Sequence, residues 1–532
     1  MKRRSAGAIA VAAGILLSRI SGLVRERIFA HYLGNSDAAG AFKAALKIPN
    51  LLQNLFGEGV LSASFIPVYA RLIAEGKEEE AGRVAGVVAS LLTLAVAVLV
   101  SVGTLTSRWL IDVVAPGFHG DVRELTIELV EIMFSGVGLL VLSAWCLGVL
   151  NSHKRFFLSY VAPVLWNVAQ IAALIVFGAR TLTDRAGQFR LVHVVAWATV
   201  VGAGLQLLVQ LPLALTLVRG LRPSLSLRAP PVRRVLGNFA PVVVSRGVVQ
   251  LSAYIDQVLA SYLGAPAVAA MFYAQQLYLL PISLFGMAVS AAELPEMSSA
   301  VGTPEEVAKI LRTRLEAGLT RIAYYVVPSL VAFLVLGDVV VATLYQTGKF
   351  GAHDTHFVWL VLAGSTVGLL AATQARLCSS AFYALHDTRT PLNFAIIRVL
   401  LTGGLGWAIA LPVRTHFGWP PEYGAAGLTA SAGVAGWIEF LLLRRALIAR
   451  IGRFSLSART IALAWVSALL SAAPAFALHH FVPIRRPIVA GAAVLGLYGL
   501  MYLALTTAFR LPEASRLTAR LRRRRAAATE GR

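Results

Sequence analysis

Three charged side chains, Arg25, Glu26 and Arg27, stand together in an apolar stretch that begins at Ala6. A charge at the centre of a bilayer costs roughly 2.5–3.5 kcal/mol on insertion scales, so such residues normally face a bundle interior or a wet path. On a helix, Ser18, Arg19, Gly22, Arg25 and Glu26 form one stripe, which Arg27 leaves. Lys43, Lys47, Asn50 and Asn54 then repeat at helical spacing on a second face, with Glu58 near it. Pro49 interrupts that segment, and Gly57 and Gly59 follow. Arg246, Gln250 and Gln257 share a third face, and Gln275 and Gln276 precede Pro281 on a fourth segment. The cations Arg19, Arg25, Lys43, Lys47 and Arg246 outnumber Glu26 and Glu58. A hydrated cavity lined this way attracts an anion, and guanidinium forks and ammonium point charges suit phosphate. The competing reading is of helix-end anchors or buried ion pairs.

Other chemistry finds little support. No Walker A, H-E-x-x-H or G-x-S-x-G motif is present, nor any Cys/His metal spacing, so no catalytic set, metal site or cofactor is expected. Cys146 and Cys378 lie in apolar runs, which argues against a disulfide framework. His353, His356, His479 and His480 read as solvated loop residues. Asp387 and Asn393 are candidate ligands for a monovalent ion, with loop capping as the plainer role for the aspartate.

The elements that carry these residues are membrane helices. Of the 532 residues, 57% are hydrophobic and only 14% charged, against about 25% charged in a soluble domain. Runs such as 84–107 and 194–218 carry no Asp, Glu, Lys or Arg, and about 20 apolar residues span a bilayer. We expect an all-α polytopic membrane protein of about fourteen spans. They fall near 6–32, 40–70, 83–107, 123–150, 157–179, 192–218, 234–262, 267–292, 317–336, 356–384, 391–411, 424–447, 459–479 and 487–509. The first, second, seventh and eighth are the least apolar. The start reads as a first span rather than a cleaved signal.

A net charge of +22 would suggest nucleic acid in a soluble chain. Here the positive-inside rule accounts for it, because one set of connections is far more basic than the other. That places both termini in the cytoplasm. The basic tail 521–525 reads as a topology determinant or anionic-lipid contact, and no nucleic-acid partner is expected. An internal repeat at an offset of about 230 residues joins the segments near 31 and 261, and those near 55 and 284. It implies two pseudo-symmetric six-helix lobes, 1–218 and 234–450, joined by the linker 219–233. Two further spans lie in 451–510, and a tail fills 511–532. Sites in such parallel repeats lie between the halves.

The stretches "SRISGLVRERIFAHYLG", "AFKAALKIPNLLQNLFGEGVLSASFIPVY" and "FYALHDTRTPL" resemble the MviN/MurJ lipid II flippases of the MOP exporter superfamily. The matching positions are Arg25, Glu26 and Ala30; Ala41, Phe42, Lys47, Ile48, Pro49, Asn50, Leu51 and Leu52; and Phe56, Glu58, Gly59, Phe65, Ile66 and Pro67. The resemblance implies a fourteen-helix bundle in the bacterial cytoplasmic (inner) membrane. It implies movement of undecaprenyl-pyrophosphate-linked peptidoglycan precursor (lipid II) to the periplasmic leaflet. Arg19, Arg25 and Glu26 match family positions implicated in function. The last two helices would take the lipid tail. Partners implied are lipid II, membrane lipids and other cell-wall synthesis proteins, with coupling to membrane potential or a monovalent cation. Three positions depart from the family pattern: Gly40 replaces an aspartate, and Gln53 and Gln276 replace arginines. Lys43 is the expected substitute cation. A transporter of another polyprenyl-linked glycan, or a multidrug-type antiporter on the same fold, is the alternative.

Overall fold

The computed structural model describes residues 2–179, 184–227, 229–482 and 484–515, without the side chains of residues 2–12, 58, 240–242 and 244–253. Its described residues form helices α1 (Lys2–Leu33), α2 (Asp37–Phe56), α3 (Glu58–Ser64), α4 (Ile66–Ala74), α5 (Glu78–Leu105), α6 (Ser107–Val114), α7 (Gly120–Ser152), α8 (Phe156–Gly178), α9 (Arg185–Leu217), α10 (Pro230–Ser261) and α11 (Ala265–Pro281). After a π turn at Ile282–Met287 come α12 (Ala288–Ser298), α13 (Pro304–Val335), α14 (Gly337–Tyr345), α15 (Ala352–Thr366), α16 (Leu369–Ala384) and α17 (Arg389–Ala408). A second π turn, Ile409–Val413, leads to α18 (Arg414–His416), α19 (Pro421–Ile451), α20 (Ala458–Phe481) and α21 (Pro487–Ala508).

Every expected span coincides with a helix or a broken helix. Among the described residues, ten helices are long and apolar enough to cross a membrane, and α15 with α16, bent by 40°, makes an eleventh if counted as one span. The expected spans outside that set are α1, α2–α4 and α10, the segments that carry the first three polar stripes. The interruption expected at Pro49 lies elsewhere: α2 runs through Pro49, and the span 40–70 is three helices, broken at Gly57 and Phe65. In lipid, such breaks persist only where the freed backbone groups find other partners.

The chain divides into two compact units, Met1–Ala269 with Thr347–Phe350, and Ala270–Gln346 with Gly351–Arg532. The division falls at Ala269/Ala270 rather than in the linker 219–233, so α10, expected to open the second lobe, packs with the first. Specific contacts explain this. Tyr254 donates to the Lys47 carbonyl at 2.9 Å and the Gly117 N–H donates to Ser261 Oγ at 3.0 Å. Gly40 lies directly against the Ala265 carbonyl, where a Cβ would have no room. The start of the linker is not free either: Arg219 pairs with Glu78 at 2.8 Å, and its backbone rests on Gly82 of α5.

Small residues and a few polar clasps hold the first unit, as expected where lipid competes equally for apolar faces. Gln206 of α9 donates to Ser143 of α7 at 3.0 Å, and the Trp145 indole donates to the Ala85 carbonyl at 3.2 Å. The turn Thr347–Phe350 caps the end of α1: Lys349 N–H donates to the His31 carbonyl at 2.8 Å, and Thr347 Oγ1 pairs with His31 Nδ1 at 2.8 Å.

In the second unit, breaks in the helices are met by donors from neighbours. The Trp437 indole of α19 donates to the Val367 carbonyl at 2.8 Å, at the bend between α15 and α16, where Gly368 meets Gly433. Pro328 lies inside α13 and denies Tyr324 its helical partner; Tyr502 of α21 supplies the hydroxyl instead, at 2.7 Å, and Tyr498 donates to the Pro328 carbonyl at 2.7 Å. Leu511 and Ala514, at the start of the expected basic tail, are buried.

Candidate functional site

The charged stretch of α1 resolves into a network inside the first unit. Arg25 and Glu26, neighbours on the helix, pair at 2.5 Å, and the second Glu26 oxygen accepts from Lys43 Nζ of α2 at 2.6 Å. The Lys43 ammonium also lies 4.0 Å from the centre of the Phe29 ring. Arg25 reaches α8 as well: its Nη1 donates to Asn167 Oδ1 at 3.0 Å, and its guanidinium lies 4.8 Å from the centre of the Trp166 ring. Arg25, Glu26 and Lys43 are all buried, at 8%, 2% and 3% exposure.

These exposures answer why a membrane helix tolerates the charges. The sequence led us to expect Arg25 and Glu26 on an open, hydrated face. The structure encloses them and neutralises them against one another, which is the ion-pair reading. A buried pair repays its desolvation only with close geometry and further hydrogen bonds, and both are present. Two cations against one carboxylate leave a surplus of one positive charge at this point of the bundle.

The other candidates are spread more widely. Along α2 the polar face grades from buried Lys43 through half-buried Lys47 and Asn50 to exposed Asn54, with Gln53 half-buried. Lys47 lies 5.6 Å from the centre of the Tyr254 ring and feels the charge of Asp256, both on α10. Arg19, on the same stripe as Arg25, is exposed and outside the buried network. The side chains of Glu58, Arg246 and Gln250 lie outside the described residues. Gln276, in the second unit, is half-buried.

The Asp387 carboxylate caps the start of α17, accepting from the backbone N–H groups of Arg389 and Thr390 at 3.0 Å and from the Thr390 hydroxyl at 2.7 Å. It also pairs with Arg450 at 2.6 Å. Asn393 is exposed. Among the described residues no group of three His, Cys, Asp or Glu is placed to hold a metal ion.

Sequence reasoning missed Trp166 and Asn167, because α8 contains no charged residue to draw attention. The available signal was a lone Trp-Asn pair in the middle of an apolar run, since a mid-membrane asparagine needs a partner. It also missed Tyr254 and Asp256.

Comparison with known proteins identifies the architecture. The family model described as "Lipid II flippase MurJ" matches residues 29–485. A lipid II flippase MurJ of Burkholderia cenocepacia is 35% identical over 435 residues, 80% of each chain. A probable lipid II flippase MurJ of Rhizobium tropici is 32% identical over 518 residues, 93% of this chain and 92% of its own. Among solved structures, a lipid II flippase MurJ in an inward closed conformation superposes with a TM-score of 0.75 at 21% identity, covering 94% of this chain and 98% of its own. An inward-facing multidrug resistance MATE transporter of the MOP superfamily gives 0.61 at 20% identity, covering 83% and 98%. The solved structures establish the fold; the family model and the sequence relatives, matched over most of the chain, establish that it belongs to the lipid II flippase MurJ family.

Proposed function

We propose that this chain carries lipid II from the cytoplasmic to the periplasmic leaflet of the bacterial inner membrane. It acts as a transporter by alternating access, and no covalent chemistry is required of it. The observation that carries the reading is the buried Arg25–Glu26–Lys43 group, a net cation set within membrane helices. A pyrophosphate brings at least two negative charges, whose desolvation needs charged donors. Arg25 supplies the fork and Lys43 the point charge, with Lys47, Asn50 and Asn54 continuing the same helical face.

The charge of this region also separates the two transporter classes. A cation antiporter would be expected to hold surplus carboxylate here, whereas this group holds surplus cation. Helices α20 and α21 are the proposed seat of the polyprenyl tail. Both termini are proposed to be cytoplasmic, and the energy source to be the membrane potential or a monovalent cation.

Movement of labelled lipid II in proteoliposomes tests the reading, together with complementation of a strain depleted of its own flippase. Transport of lipid II that is abolished by Arg25→Ala at unchanged protein level is the expected result. Absence of lipid II transport by a well-folded protein would overturn it.

A further inference from the structure

We propose that Asn167 and Trp166 of α8 are the positioning residues that aim the Arg25 guanidinium at the anionic headgroup. The inference rests on the reading of Arg25 as a headgroup contact and adds two residues on a helix without charges.

The orientation of the Asn167 amide is forced by its neighbours. Arginine offers only donors, so the atom facing Arg25 Nη1 at 3.0 Å is the carbonyl oxygen. The amide nitrogen then donates to Ser21 Oγ at 2.9 Å, and Ser21 in turn donates to the Ser18 carbonyl at 2.9 Å. The Asn167 nitrogen lies 3.5 Å from that same carbonyl. Two points therefore hold Asn167 to α1, one and two turns before Arg25, and the side chain is buried at 5% exposure.

Trp166 fixes the remaining freedom. Its ring lies beside the guanidinium, 4.8 Å from Arg25 Cζ, and such a face attracts a cation. Its buried indole nitrogen has no hydrogen-bond partner among the described residues, so the ring face, not the N–H, is what this site uses. One Arg25 nitrogen is committed to Asn167 and the other to Glu26. The fork is thus held in one plane before any ligand arrives, and a preorganised donor gains affinity by avoiding ordering costs on binding.

A double-mutant cycle on lipid II affinity, measured with the full-length protein in nanodiscs, tests this. Asn167→Leu is expected to weaken binding about tenfold in the native background. In an Arg25→Lys background it should have no further effect, because an ammonium has no fork to aim. Trp166→Phe, which keeps an aromatic face, should stay within about threefold of the native protein, and Trp166→Leu should lose as much as Asn167→Leu. Asn167→Ser, too short to reach Arg25, repeats the test if the leucine variant does not fold. An equal loss in both backgrounds would make Asn167 a packing residue and overturn the inference, as would native affinity in Asn167→Leu. The underlying reading fails separately, and takes the inference with it, if Arg25→Ala itself binds lipid II as the native protein does.

Discussion

The hydroxyl of Tyr502 lies 2.7 Å from the carbonyl of Tyr324, the acceptor that Pro328 strands four residues later on α13. A phenol from α21 thereby completes a backbone that proline broke, and joins the penultimate part of the chain to the heart of the second unit. Removing it tests how tightly α21 is held. Tyr502→Phe should lower stability by about 1 kcal/mol, within the roughly 0.6–1.7 kcal/mol measured for interhelical hydrogen bonds in membranes. Replacing both Tyr502 and Tyr498 with Phe should cost more than the sum if the two bonds share the same deformation of α13. Unfolding in mixed micelles, followed by tryptophan fluorescence, measures both.

Burial of the Glu26 carboxylate between two cations predicts an asymmetry. Glu26→Gln leaves Arg25 and Lys43 facing each other without a counter-charge, a defect of about 3–5 kcal/mol for a broken buried ion pair. Lys43→Met leaves the neutral Arg25–Glu26 pair and should be milder. The double variant Glu26→Gln with Lys43→Met should recover folding relative to Glu26→Gln alone, yet move lipid II poorly. Thermal stability and proteoliposome transport, read side by side, decide it; recovery of transport together with folding would mean Lys43 serves the fold alone.

Gly40 has no room for a side chain, because the Ala265 carbonyl occupies the place of its Cβ. Gly40→Ala should therefore force α2 away from the start of α11, at the roughly 1–3 kcal/mol typical of overpacking. Gly40→Asp, which restores the residue common in the family, should be worse rather than a gain of function. Expression level and thermal stability of the two variants check the order.

The cap at Asp387 gives a pH-dependent contribution. The Thr390 N–H holds its carboxyl below the usual carboxylate range, with the Thr390 hydroxyl, Arg450 and the Arg389 N–H adding to the effect. A carboxyl whose folded-state pKa lies below its unfolded value of about 3.9 adds stability that is fully present above that value and disappears as the pH falls through the folded one. Asp387→Asn should thus lower stability at pH 7, and the gap to the native protein should close in acid. Thermal melts across pH 2 to 7 measure that gap.

Much of the fold was legible because bilayer thickness dictates the length of apolar runs, and each expected span meets a helix. The unit boundary was not, since hydropathy describes each helix alone and says nothing of Tyr254 reaching the Lys47 carbonyl or of Gly40 fitting Ala265. In the site, periodicity put Arg25 and Glu26 on one stripe but could not tell an open face from a paired one. That distinction depends on Lys43 and Asn167, which lie 17 and 142 positions away from the residues they bind. Asp387 was readable as a cap because its partners are three residues away or fewer. Its Arg450 partner is far along the chain, and the sequence held no sign of it.

The capping of α1 by Thr347–Phe350 also bears on how the membrane topology can be mapped. An epitope or reporter inserted at 346–350 would pull Lys349 from the His31 carbonyl and unseat the end of the helix that carries Arg25, so a failed insertion there would say nothing about sidedness. The connection 417–420 is exposed. A tag between Gly418 and Trp419 leaves the Lys349–His31 contact itself unaltered, and is the sounder place to ask which side of the membrane these loops face.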